Sequence, residues 1–291
     1  MKTTIIANPI AGNGRGRRYA GALDRALRER GIETSLHLTA EAGEGGQIAR
    51  TADADCIAVV GGDGTVHEVL NGLGERNVCL AILSAGSVNV VARHLQYPPR
   101  PEGLAGWIDA ARTMPMDLLE CNGRRVILGG GAGFDAAVAA RVKAVRRETL
   151  GFWRWVLPTV QTVLASPHPL VRVTVDGREV CPASPYVVVG NCPSSAGKFR
   201  ATPLAKTDDG LLDVVAVKEL SLTKLVALAA GSLRPSFAQR KDLVYVQGRH
   251  VRLEPADDTP APLQLDGDPA GTIPAEFTVL PGACTVLAPP R

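Results

Sequence analysis

Apolar residues recur along the first third of the chain as short blocks separated by stretches with a helical rhythm. "TTIIAN", "TSLHLT", "CIAVV" and "CLAIL" read as strands, and the last two are continuously apolar, as parallel strands covered on both faces should be. Between these blocks a helix is expected from about Arg18 to Arg30, and a second carries Val66, Val69, Leu70 and Leu73 at helical spacing. Such alternation predicts a doubly wound α/β domain that binds ligands at the carboxyl ends of its strands. From about Leu118 the rhythm changes. "DLLECNGRRVILGGG" reads as a hairpin turning at Asn122-Gly123. Short strands follow: "LVRVTVDG", "YVVVGN", "LLDVVAV", "LVYVQG", "HVRLEP", "PLQLDGDP", "EFTVL" and "CTVLAP". Helical stretches near 135–148, 152–165 and 221–232 interrupt them. The expected fold is therefore α/β in two domains, a doubly wound N-terminal domain over 1–117 and a β-rich, antiparallel, sandwich-like domain over 118–291.

Composition narrows the partners. At 291 residues, with 45% hydrophobic and 21% charged side chains, the chain has the make-up of a globular protein with substantial cores. A net charge of +3 is too small to argue for nucleic acid, and none is expected as a partner. Cys56, Cys79, Cys121, Cys181, Cys192 and Cys284 are scattered, without a C-x-x-C pair, which argues against zinc and for a reduced, cytoplasmic setting. The N-terminal "MKTTIIANPIAGNG" has no signal-like apolar core, and no stretch approaches the roughly 18 apolar residues needed to span a bilayer.

Glycine-bearing turns carry the candidate chemistry. In "VVGGDGTVHEVLNGL" (59–73) a strand stops at Gly61-Gly62-Asp63-Gly64-Thr65 and restarts as a helix. Backbone N–H groups at a helix start, without side chains to obstruct them, can hold a phosphate. A merely structural turn would read the same way. "LSAGSVN" (83–89) follows the next strand, and "NPIAGNGRG" (8–16) follows the first. Three such loops at neighbouring strand ends favour the phosphate reading. The loops match neither the G-x-x-x-x-G-K-[ST] pattern nor a G-x-G-x-x-G that follows a strand.

Asn8-Pro9, Gly61 to Thr65 and "AGSVN" together resemble the diacylglycerol kinase catalytic-domain family, which also holds sphingosine and ceramide kinases. "GAGFDAAV" (131–138) is similar to the family's G-F-D-A segment, "PLAKTDDGLLDV" (203–214) to its P-x-A-x-x-D-D-G-x-L-D-V segment and "LDGDP" (265–269) to its D-G-E-P turn. The resemblance thus covers nearly the whole chain. It implies an ATP-dependent lipid kinase with a magnesium cofactor, in which Asn8, Thr39, Gly61, Gly62, Asp63, Gly64, Thr65, Glu68, Gly86 and Ser87 line the nucleotide site. Asp266 is the implied base that accepts the proton of the lipid hydroxyl, although Asp266-Gly267 also reads as a plain hairpin turn. The resemblance further implies a structural magnesium bound by the Asp209 carboxylate and the carbonyls of Lys206 and Leu211, where an acidic turn alone is the bland alternative. Asp63 and Asp117 are the carboxylates it offers to a catalytic magnesium. The family's G-T-x-N-D pattern is broken at Val90, a departure shared with sphingosine and ceramide kinases, which tilts the acceptor slightly towards theirs.

The segment 141–158 joins Arg141, Lys143, Arg146, Arg147 and Arg154 to Phe152, Trp153 and Trp155, a composition suited to an anionic membrane surface. A solvated basic helix followed by a core helix is the alternative. The expected partners are ATP and a lipid at the inner face of the membrane; a homodimer is compatible with the resemblance. His67 reads as lining or capping the phosphate loop and His94 as a helix end, not as catalytic groups. The competing functions are an NAD kinase, whose relatives also carry GGDGT, and a non-catalytic nucleotide or lipid sensor, which would have no need of Asp266.

Overall fold

The computed structural model describes residues 2–86, 89–144, 153–165, 168–193, 200–232 and 234–289, leaving aside the side chains of 153–155 and 235. The chain is mixed α/β and divides into two compact units, Met1–Leu118 with Pro281–Arg291, and Leu119–Leu280.

In the first unit, strands β1 (Lys2–Ala7), β2 (Glu33–Leu38), β3 (Cys56–Gly61) and β4 (Cys79–Ser84) run parallel in the order β2-β1-β3-β4. The apolar runs of β1, β3 and β4 are buried almost throughout, whereas β2 is an exposed edge. Helices α1 (Ala11–Arg28), α2 (Glu44–Thr51), α3 (Asp63–Leu73), α4 (Val90–His94) and α5 (Pro101–Ala110) connect and cover the sheet. Helix α1 packs on α5 and α2 on α3. Right-handed crossovers running in opposite directions from β1 place these two pairs on opposite faces. The α2–α3 crossing is close because Gly46 meets Gly72; a side chain at Gly72 would collide with the Gly46 backbone. Helix α1 begins at Ala11, seven residues before the expected Arg18. Its first turn is not regular, since Gly12, Asn13 and Gly14 take left-handed dihedrals that glycine and asparagine tolerate.

The second unit contains the predicted hairpin. The end of β5 (Thr113–Cys121) pairs with β6 (Arg124–Val126) across Asn122 (φ 48°) and Gly123 (φ 77°). The positive φ pair explains the Asn-Gly. Next come β7 (Gly129–Gly133), α6 (Phe134–Ala144), α7 (Trp153–Leu164), β8 (Val171–Val175), β9 (Arg178–Ser184), β10 (Tyr186–Gly190), β11 (Leu212–Val217) and α8 (Leu222–Gly231). The chain continues with β12 (Leu243–Gly248), β13 (His250–Pro255), β14 (Pro262–Leu265), β15 (Asp268–Thr272) and β16 (Ala275–Leu287). "EFTVL" and "CTVLAP" are thus one 13-residue strand, not two. From Pro281 onward β16 belongs to the first unit, where Val286 pairs with Leu80 of β4.

A six-stranded antiparallel sheet, β12-β11-β10-β7-β14-β15, dominates the second unit. One face, with Val187, Val189, Val214 and Leu263, packs against Val173 of β8, Val251 of β13 and Phe277 of β16. The other face, with Tyr186, Val188 and Val215, packs against Phe134 and Val138 of α6 and Leu228 of α8. Burial of both faces is why β10, and β11 from Val214 onward, are continuously apolar and do not alternate.

Candidate functional site

The order β2-β1-β3-β4 reverses direction between β1 and β3, so the carboxyl ends of those two strands flank a topological switch point. Asn8 follows β1 and donates its backbone N–H to Val60 O (3.0 Å), while its Oδ1 accepts the N–H of Ile10 (3.1 Å). Gly61 and Gly62 follow β3, and the N–H groups of Ala85 and Gly86, beyond β4, both reach Gly61 O (2.8 and 3.2 Å). Arg15 closes the third side, donating to the carbonyls of Ala85 (3.1 Å) and Gly86 (3.3 Å). The three glycine-bearing loops therefore converge. Their contact depends on missing side chains: a Cβ on Gly86 would lie 2.7 Å from Gly62 Cα, and one on Gly61 would lie 2.5 Å from Thr65 Oγ1. Gly64, exposed in the first turn of α3, is different, because a Cβ there would meet nothing within 4 Å.

Thr39, at the end of β2, binds Ala7 O through its backbone N–H (2.9 Å) and its hydroxyl (3.4 Å), beside Asn8 in sequence register. Glu68 lies on α3 where it faces Gly45 of α2. Ser87 lies outside the described residues. Asp63 receives the N–H groups of Val90 (3.0 Å) and Val91 (3.3 Å) and so caps α4. Burial pushes its carboxyl above the usual range, with those N–H groups pulling the other way. Val90 itself is buried. Asp117, also buried, accepts the N–H of Gly282 (2.8 Å). Among the described residues no three or more histidine, cysteine, aspartate or glutamate side chains cluster to hold a metal, so Asp63 and Asp117 belong to no such group. His94 is half-buried, which lowers its pKa, and His67 accepts the Asn71 side-chain amide on its carbonyl (3.0 Å).

In the second unit Asp266 and Gly267 (φ 50° and 86°) form the tip of the β14–β15 hairpin. The carboxylate is gripped by backbone donors: Oδ1 accepts from Leu128 (2.8 Å) and Gly129 (3.2 Å), and Oδ2 from Ile127 (3.0 Å). The hairpin reading is thus correct, and the turn also holds an oriented carboxylate. Asp268 pairs with Lys143 (2.8 Å) in an exposed contact of small energetic weight. In the 203–214 segment, Gly210 (φ 69°) makes the bend and Asp209 Oδ1 accepts the N–H of Leu211 (3.1 Å). Asp213, buried, accepts from the Tyr245 hydroxyl and from Gln247 (3.1 Å). Its carboxyl is pushed up chiefly by burial, with the charge of Asp209 adding to the effect. The Asp209 carboxylate and the carbonyls of Lys206 and Leu211 would offer oxygen ligands only, the donor chemistry that suits a hard divalent cation.

Three residues of these networks escaped sequence reasoning: Arg15, Asp135 and Gln264. Arg15 stands in the glycine loop already singled out, and Asp135 in the G-F-D-A segment. Gln264 Nε2 donates to Asp135 Oδ2 (2.7 Å), and Gln264 Oε1 accepts the N–H of Gly267 (2.7 Å). Burial raises the Asp135 carboxyl to about 6, the Gln264 hydrogen bond opposing it. A folded pKa above the ordinary 3.8 means a stabilising contribution complete below pH 3.8 and lost as pH rises through about 6. Asp135→Asn should therefore abolish this loss, worth up to ~3 kcal/mol at 1.36 kcal/mol per unit. Urea melts from pH 3.5 to 8 should show the variant gaining on the wild type only above pH 4; identical pH profiles would refute the shift.

Comparison with known proteins covers both units. Residues 2–121 match the diacylglycerol kinase catalytic domain, and residues 130–288 the YegS C-terminal NAD kinase beta sandwich-like domain. The diacylglycerol kinase of Bacillus subtilis (strain 168) is 26% identical over 96% of this chain and 93% of its own length. That of Mycobacterium tuberculosis (strain H37Rv) is 28% identical over 99% and 95%. A solved structure of a candidate diacylglycerol kinase from Bacillus anthracis str. Sterne superposes with a TM-score of 0.81 at 26% identity, covering 99% of this chain and 97% of the other. With both of its parts matched in order along almost its whole length, the chain belongs to the diacylglycerol kinase catalytic-domain family.

Proposed function

We propose that the protein is a lipid kinase that transfers the γ-phosphoryl group of ATP to the hydroxyl of diacylglycerol or a related lipid at a membrane surface. The observation that carries this reading is the convergence of the 8–16, 61–65 and 84–86 loops at the switch point of the first unit. Backbone N–H groups there bind the nucleotide together with Asn8, Thr39 and Glu68, and Ser87, outside the described residues, joins them by its place in the family motif. Asp266 orients the lipid hydroxyl and takes its proton as the oxygen attacks phosphorus, and ADP departs. Asp63 and Asp117 are the carboxylates that would help hold a catalytic magnesium, which would supply charge neutralisation to the nucleotide phosphates. Lys206, Asp209 and Leu211 are the residues that would hold a second, structural ion.

Seating on the membrane is assigned to 141–158. Its residues 145–152, including Arg146, Arg147 and Phe152, and the side chains of Trp153, Arg154 and Trp155 lie outside the described residues. Of the rest, Arg141 and Lys143 close α6, and Leu157 is exposed on α7. An NAD kinase is the second reading, favoured by the description of the family matched at 130–288. Labelled ATP offered with diacylglycerol, ceramide, sphingosine and NAD in mixed micelles separates the two. Label in a lipid is the expected result, and label in NAD alone would overturn the proposal.

A further inference from the structure

We infer that Asp135 is a positioning residue that acts through Gln264 to fix the turn presenting Asp266. The inference rests on the reading of Asp266 as the base. Asp135 stands in the first turn of α6, and Gln264 lies 129 residues away on β14, two residues before Asp266. Room for the contact is built in. Gly131 of β7 is paired with Gln264, and a Cβ on Gly131 would collide with the Asp135 carboxylate.

The chain of hydrogen bonds has a fixed direction. An ionised carboxylate only accepts, so it selects the amide NH2 of Gln264. A backbone N–H only donates, so Gly267 selects the amide oxygen. Both partners specify the same orientation of one side chain, and Gly267 is half of the turn whose other half is Asp266. Few charged groups compete. Tyr186 of β10 is the ionisable neighbour that senses the Asp135 charge, its own hydroxyl pushed up first by burial. Asp268 and Lys143 are paired with each other, His168 rests edge-on against Phe134, and among the described residues the remaining groups from packed elements are Asp266 on the turn and Arg141 on α6. Protonation of Asp135 removes its acceptor-only character and frees Gln264 to turn over.

The test combines activity with a signal that owes nothing to turnover. Asp135→Asn and Gln264→Leu should each lower kcat roughly ten- to hundredfold with the nucleotide KM unchanged, as for a slightly misplaced group. The double variant should be no worse than either single one, because both cut one chain. In an Asp266→Asn background neither should alter the residual rate. By NMR, the Gly267 amide of the wild type should titrate with an inflection near 6 that Asp135→Asn lacks. A flat Gly267 amide in the wild type, multiplicative losses in the double variant, or full kcat in Asp135→Asn would each overturn the inference. The wild-type titration needs no variant to fold. It also separates this inference from the base assignment, which fails on its own if Asp266→Asn keeps full turnover.

Discussion

Asp266→Asn should lower kcat by roughly a thousandfold, within the 10²–10⁴ attributed to a positioned base, while leaving ATP affinity intact. Asparagine tolerates the left-handed backbone at φ 50°, so the turn itself survives. The damage is chemical. The amide cannot take the proton of a hydroxyl, and its NH2 would face one of the N–H groups of Ile127, Leu128 or Gly129, which the carboxylate now satisfies. That mismatch adds a stability loss of about 1–3 kcal/mol. Asp266→Gly, also free of strain at this φ, isolates the chemistry, since added formate should restore part of the rate. Single-turnover transfer to lipid, read beside equilibrium ATP binding, is the measurement. Unchanged turnover in Asp266→Asn would remove Asp266 from the mechanism.

Gly64→Ala should raise stability and cost nucleotide affinity. Nothing lies within 4 Å of the Cβ this change adds, and the residue sits in a helical turn, where alanine is better than glycine by up to about 1 kcal/mol. If Gly64 served only the fold, the variant would be at least as good as the wild type in every respect. If a phosphate lies over the start of α3, the new methyl occupies its path, and ATP affinity should fall by about a hundredfold, equivalent to 2.7 kcal/mol. Gly61→Ala is the contrast. Its Cβ would press on the Thr65 side chain, so it should lose stability and affinity together. Thermal melts and ATP titrations on both variants decide the matter; a Gly64→Ala protein with full affinity would leave the loop without its proposed ligand.

Local rules carried the first unit a long way. The strand ends, the glycines and the direction of the sheet are properties of adjacent residues, so the convergence of three loops could be read from "NPIAGNGRG", "GGDGT" and "LSAGS". The second unit resisted for a physical reason. "GGGAG" looks like a loop by propensity, yet it is β7, because neighbours occupy the space where its side chains would be: Phe277 and Leu265 above Gly130, Asp135 above Gly131. The Pro281-Gly282 pair suggested a break between two strands, where the backbone of β16 continues. Asp135 carries no local mark of its task, since its partner is a glutamine 129 positions downstream that a strand register, not a spacing, brings to it. Asp63 offered a phosphate or metal reading by its place in the loop, and only tertiary geometry shows it capping α4.

The return of Pro281–Arg291 to the first unit has a consequence for biogenesis. Val286 pairs with β4, Leu287 N–H reaches the buried Tyr97 hydroxyl (3.0 Å), and Gly282 N–H satisfies Asp117. During translation, residues 2–118 emerge more than 150 positions before these partners, with the β4 edge bare and Asp117 lacking its Gly282 donor. A truncated product therefore cannot finish its own first unit. Completion of the first unit thus waits on synthesis of the second, and a prematurely terminated chain leaves the β4 edge open to pairing with other chains.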